Sequence, residues 1–220
     1  MTSDTKKPVI AIIDDQLAVE DENFSYSKAD VIKTLRNIAT GLGYDAEAML
    51  AHVRFFEHPK VRFPADQNII LAFVDNNFAV DGRWVKVGNQ IVQGLRYSFP
   101  LAEIVWASTD NLEGAARSEM EAQSVLFGDS VKVNLVNLQT ISSEGIIALA
   151  NSESNALHPS ERGAAFVIQR YKRAFEVIAA YQCQSVADDK KGESRSALDM
   201  ARRGGQETQR NSAEGMQGGL

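Results

Sequence analysis

Two acidic sites stand out by the kind of segment that precedes them. Val9 to Ile13 is an unbroken apolar run that ends in Asp14 and Asp15, and Ile69 to Val74 is a second one that ends in Asp75. Both runs have strand length, and neither alternates with polar residues, which is the pattern of a parallel strand buried on both faces. In an open α/β sheet, the residues at the carboxyl ends of parallel strands meet in one crevice. Two such ends side by side would gather three carboxylates, and like charges that close do not all stay ionised unless a cation joins them. Ligation by oxygen alone favours Mg²⁺. The expected chemistry is a divalent ion held beside an aspartate that is free to react.

The elements that would position these residues can be read from the rest of the chain. Ser27 precedes a helix with Asp30 in capping-box position. Val31, Leu35, Ile38 and Leu42 then recur at helical spacing, and Gly41 and Gly43 supply the stop. A short strand is expected near Ala46–Ala51, in a stretch that also holds Phe55, Phe56, Pro59 and Pro64. Ala79–Val87 reads as a loop, with Asp81-Gly82 as its turn signal. From Gly88, the residues Ile91, Val92, Leu95 and Phe99 predict an amphipathic helix that ends at Pro100. Ile104 to Trp106 reads as another buried strand, followed by a polar helix over roughly 112–126, a Gly128-Asp129 turn and a strand over 131–138. Helices near 143–150 and 160–182 come next, the second with Val167, Tyr171, Phe175 and Ile178 on one face.

This order predicts an α/β fold: a doubly wound, mostly parallel five-stranded sheet with extra C-terminal helices. The domain reading is 1–140 for the sheet domain and 141–183 for a helical extension. Residues 184–220 hold six basic and six acidic residues with few apolar ones, and read as a disordered tail.

Bulk composition narrows the function classes. The 220 residues carry a formal charge of −6, which argues against a nucleic-acid footprint. A single cysteine, Cys183, excludes an internal disulfide framework and fits a reducing compartment. No apolar stretch approaches membrane-spanning length and the N-terminus lacks a signal-peptide core, so a cytoplasmic location is expected.

The residues from about 8 to 140 resemble the receiver domain of two-component response regulators. Asp14 and Asp15 are similar to that family's Mg²⁺-binding pair, and Asp75 to its phospho-accepting aspartate. Gly88 to Pro100 is similar to its glycine-led third helix. Ser108 matches the conformational-switch hydroxyl, and Lys132 lies at about the distance expected for the lysine of the fifth strand. The resemblance implies a Mg²⁺ held by Asp14, Asp15, an Asp75 oxygen and the backbone carbonyl of Asn77. It implies transfer of a phosphoryl group to Asp75, with Ser108 and Lys132 meeting the phosphoryl oxygens. It also implies a sensor histidine kinase or phosphotransfer protein as donor, and output by protein–protein contact. Any catalysis would be confined to the protein's own aspartate.

The chain departs from the family pattern at Val133, where a proline usually follows the lysine, and at Ala79, where another proline is usual. The stretch from Asp75 to Gly88 is also long. These departures carry the alternative of a pseudo-receiver that binds a partner without being phosphorylated. A Mg²⁺-dependent phosphohydrolase of the haloacid-dehalogenase kind ranks lower, because it needs a second aspartate two residues after the first, and Gln16 stands there.

Each site residue also has a plain structural reading. Asp14-Asp15 and Asn76-Asn77 suit turns, Ser108 is a small hydroxyl at a strand end, and Lys132 suits a solvated strand edge. His52, His58 and His158 show no ligand spacing and are expected at the surface or in local hydrogen bonds. Trp106 reads as core and Trp84 as a contact surface. The 160–182 helix reads as a packing or homodimerisation element without the features of a DNA reader.

Overall fold

The computed structural model describes residues 6–18, 27–81, 83–107, 126–127, 138–153, 156–157 and 161–187. Ser108, Lys132 and His158 lie outside the described residues, as do the expected helix over 112–126 except Leu126, the strand over 131–138 except Leu138, and the tail over 184–220 except 184–187; Leu126 is in a short strand and Leu138 is helical. The chain divides into two compact units, Met1–Ala179 and Ala180–Leu220. Of the second, only 180–187 are described, and they are helical, so residues 184–187 are helix where the sequence suggested the start of a disordered tail.

The first unit is α/β, built on a parallel sheet. Strands β1 (Lys7–Ile13), β2 (Val53–Phe56), β3 (Gln67–Asp75) and β6 (Glu103–Ala107) are hydrogen-bonded in the order β2-β1-β3-β6. A two-residue strand, β7 (Leu126–Phe127), runs parallel beside β6. Val9, Ile10, Ala11 and Ile13 are fully buried, as an apolar run covered on both faces must be. The two expected strands are therefore the sheet's centre. Between Val9 and Ile10 the pairing with β3 slips: Val9 faces Ile69 while Ile10 faces Leu71, so Ile70 is an extra residue in β3.

Alternation along the strands sorts the core into two clusters. Ile10, Ile12, Leu71, Phe73 and Val105 pack with α1 (Lys28–Gly41), α4 (Ser143–Asn151) and the helix from 161 to 179, called α5. Val9, Ala11, Ile13, Ala72, Val74, Ile104 and Trp106 pack with α3 (Gly88–Ser98) and Phe78. The face expected on the last helix holds, since Val167, Tyr171, Phe175 and Ile178 are all buried. Tyr171 stacks on Phe73 at 5.0 Å and on Phe175 at 5.9 Å, and burial pushes its phenol far above the ordinary value. Arg170 Nε lies 2.9 Å from Glu103 Oε1, which ties α5 to the start of β6.

Local signals explain where the helices begin and end. Ser27 and Asp30 form the expected capping box, and the Ser27 N–H and hydroxyl hold the Asp30 carboxyl below its ordinary range. Gly43, with φ of 83°, supplies the left-handed stop. Gly41 lies so close to α4 that a Cβ there would come within 2.6 Å of Ile146.

Two element assignments in the first unit are corrected. The strand expected near Ala46–Ala51 is instead helix α2 (Ala46–Leu50): Asp45 caps it by accepting the Ala48 N–H at 2.9 Å, and its residues are strong helix formers. The strand follows as β2, where a β-branched residue and two aromatics appear. The Ala79–Val87 loop is instead an antiparallel hairpin of β4 (Asn77–Val80) and β5 (Arg83–Lys86). Asp81, with φ of 52°, provides the turn, and buried Phe78 pins the hairpin to the sheet.

Among the described residues, strand β2 lies at the margin of the sheet. Its outward Val53 carbonyl accepts from Arg54 Nη1 at 2.8 Å, and the Ala51 carbonyl accepts from the same atom at 3.1 Å. No helix among the described residues is long and apolar enough to cross a membrane.

His52 is buried between β1 and β2, contrary to a surface placement, and its Nδ1 donates to the Pro8 carbonyl at 2.8 Å. Burial is the main reason its pKa falls below the ordinary 6.5; the Pro8 bond opposes the shift, and Lys7 and Arg54 add to it. A lowered folded pKa means that the unfolded chain takes up the proton first. Stability from this group is complete above about pH 6.5 and declines as the pH drops toward the lowered value. Urea unfolding near pH 7.5 and near pH 5.5 is expected to show this decline in the wild type and a flatter profile in His52→Gln. Equal slopes in the two proteins would refute it.

Candidate acidic site

The carboxyl ends of β1 and β3 are brought level by their register. Ile13 pairs with Val74, so Asp14 follows beside Asp75, and Asp75 itself pairs with Ala107 of β6. The Asp14 N–H donates to the Phe56 carbonyl at 3.0 Å, which keeps its backbone in line with β2. Asp15 opens a short 3-10 turn (Asp15–Ala18), anchored by the buried Leu17. Asp14 and Asp75 are buried, at 7% and 4% exposed.

Asp14, Asp15 and Asp75 each present a carboxylate oxygen within 4.8 Å of the others. The structure thus gathers the three acids read from the sequence. Two ionised carboxylates at 4–5 Å repel by roughly 3–4 kcal/mol at an effective dielectric constant of about 20. A divalent cation would reverse the sign of that term. The residues fit one: all donors are hard oxygens, and Asp15 Oδ1 is buried with no hydrogen-bond partner among the described residues.

The segment after Asp75 closes over the site. Asn76 is buried, and its carbonyl accepts from the N–H groups of Val87 (3.1 Å) and Gly88 (3.2 Å), which joins the base of the hairpin to the start of α3. Asn77, the expected carbonyl ligand, is half-buried at the first position of β4. Its side-chain oxygen accepts from Asn76 Nδ2 at 3.4 Å, in keeping with turn chemistry for these amides. The Ala79 N–H donates to Asp15 Oδ2 at 2.6 Å, a contact that no side-chain pattern announces. The Asp81-Gly82 turn between alternating segments was the available signal for the hairpin that carries it.

Gly88 is needed where α3 meets β3. A Cβ there would lie 2.6 Å from Trp106 Nε1, 2.8 Å from the Asn76 Cα and 2.9 Å from the Asp75 carbonyl oxygen. Trp106 is core, as expected, and Trp84 on β5 is 60% exposed. The positions of Ser108 and Lys132 relative to the acids are not among the described residues.

Comparison with known proteins supplies no family: a scan of family models, a search of curated proteins and a search of solved structures each returned no match.

The packing at Gly88 makes a paired prediction. Gly88→Ala should destabilise the protein by roughly 1–3 kcal/mol, because two of the three obstructing atoms are backbone. Gly94→Ala, in the same helix with nothing within 4 Å of its Cβ position, should stabilise it by about 1 kcal/mol. Urea unfolding of both variants checks this, and a Gly88→Ala protein as stable as wild type would contradict the packing described.

Proposed function

We propose that this chain is a receiver-like signalling protein that accepts a phosphoryl group on Asp75 with Mg²⁺ bound beside it. The observation that carries the reading is the convergence of Asp14, Asp15 and Asp75 at the ends of adjacent parallel strands. The strand order supports it. With the β4–β5 hairpin set aside as an insertion and β7 taken as a fifth strand, β2-β1-β3-β6-β7 follows the 2-1-3-4-5 order of doubly wound sheets. In that order the chain reverses direction between β1 and β3, and ligands bind at the carboxyl ends beside that point. The three acids occupy that position.

In this reading Asp14, Asp15, an Asp75 oxygen and the Asn77 carbonyl hold the cation. When bound, Mg²⁺ neutralises the carboxylates and the charge on a transferring phosphoryl group. An Asp75 oxygen attacks phosphorus in line, an O–P bond forms, and the bond from phosphorus to the donor breaks with its electron pair leaving on the donor. The burial of Asp75 limits the access of water to the resulting acyl phosphate. Ser108 and Lys132 are the residues proposed to donate to the phosphoryl oxygens. The natural donor would be a histidine kinase or phosphotransfer protein, and the output a contact with another protein.

A pseudo-receiver, binding a partner without phosphorylation, is the second reading. The hairpin that directly follows Asp75, with its hydrogen bond to Asp15, favours it.

The test uses the purified full chain with Mg²⁺ and a small acyl phosphate. The expected result is a hydroxylamine-labile adduct on Asp75, seen by mass spectrometry, that is abolished by EDTA and absent from Asp75→Asn. Mg²⁺ alone should raise the melting temperature of the wild type, with the gain lost in Asp14→Asn. A chain that is stabilised by Mg²⁺ yet takes no adduct is the pseudo-receiver.

A further inference from the structure

We infer that the backbone N–H of Ala79 positions Asp15 for the cation, and that this bond couples the β4–β5 hairpin to the state of the acidic pocket. The inference rests on the reading of that pocket as a divalent-cation site.

Hairpin geometry supplies the donor. The two-residue turn closes on the pair Val80–Arg83, and Phe78 pairs with Val85. In an antiparallel ladder, hydrogen-bonded and non-hydrogen-bonded pairs alternate. Ala79–Trp84 is therefore a non-hydrogen-bonded pair, and the Ala79 N–H points off the outer edge of β4. That N–H meets Asp15 Oδ2 at 2.6 Å, across 64 positions of sequence. Bonds from N–H groups to carboxylates are the short, strong ones.

The bond orients the carboxylate. With Oδ2 engaged, Oδ1 is left buried and without a hydrogen-bond partner among the described residues, the oxygen available to a cation. Leu17 anchors the backbone of the 3-10 turn, but the Asp15 side chain still needs its torsions fixed, and the Ala79 N–H does that. The hairpin begins two residues after Asp75, so it touches the pocket at two points of one short strand: by chain continuity at Asn77 and by hydrogen bond at Ala79. Movement of Asp15 toward a cation must draw on β4 or break the bond. Trp84, directly across from Ala79 and largely exposed, would carry that movement to the surface.

The experiment is a Mg²⁺ titration of the isotope-labelled full chain, followed through its amide spectrum, with no phosphodonor present. Ala79→Pro deletes the donor at an off-ladder edge position, where proline leaves the strand pairing intact; Ala79→Ser keeps it. Loss of a partner to a ligating carboxylate should weaken Mg²⁺ binding about 10-fold in Ala79→Pro, against a change of about twofold or less in Ala79→Ser. In parallel, Asp15→Ala should speed hydrogen exchange at the Ala79 amide by about 10-fold or more, leaving Phe78 and Val80 unchanged. Equal Mg²⁺ affinity in the two Ala79 variants, or unaltered Ala79 exchange in Asp15→Ala, overturns the inference. If Ala79→Pro does not fold, the exchange result decides. Should the Ala79 effects appear while Asp75 takes no phosphoryl group, only the phosphoryl-acceptor reading falls; a wild type that binds no Mg²⁺ overturns both.

Discussion

The site depends on a register. Parallel strands β1 and β3 run side by side, and Asp14 and Asp75 end up level because Ile13 pairs with Val74. That alignment is not the one with which the strands begin. Val9 pairs with Ile69, and the extra residue Ile70 shifts everything downstream by one position. Side chains alternate faces with a period of two, so a shift of one residue exchanges faces. Without the bulge, Asp75 would overrun Asp14 by a residue, with its carboxylate directed to the other side of the sheet. An apolar side chain five positions upstream thus sets where the acid points.

Burial gives the register its strength. The central strands carry Val9, Ala11, Ile13, Ala72 and Val74 toward α3 and Ile10, Ile12, Leu71 and Phe73 toward α1 and α5. A slipped pairing would expel one of these sets from its cluster, at about 25 cal/mol for each Å² of apolar surface returned to water. The acidic end of the sheet tolerates its charge repulsion because the hydrophobic part behind it holds firm. Gly88 extends the same logic to the neighbouring helix, which can approach β3 only because it carries no side chain there.

Much of this was legible in the residues. The runs 9–13 and 69–74 read as buried strands, and with both in one sheet the crevice at their carboxyl ends was favoured over a plain turn for their acids. The Ser27–Asp30 box and the spacing of Val167, Tyr171, Phe175 and Ile178 marked helices by position alone. What was misread shares a physical cause. Over five residues, the Ala46–Leu50 segment offers too few turns for periodicity to separate helix from strand, and only the Asp45 cap decides. The hairpin presents two four-residue strands of mixed polarity, so its Asp-Gly turn was visible but its strands were not. His52 is buried by the strands on either side of it, which no local pattern conveys. The contact between Ala79 and Asp15 is made by a main-chain group, and side-chain chemistry cannot foretell it.

Arg54 has an effect beyond its own strand. A sheet of parallel strands invites another strand wherever its border shows free peptide groups, and among the described residues β2 forms such a border. By folding its guanidinium back onto the Val53 and Ala51 carbonyls, Arg54 fills acceptors that a neighbouring molecule would otherwise use. The same cation meets any approaching chain with a charge that must first be desolvated. Addition of a strand from another molecule is discouraged at that point of the border.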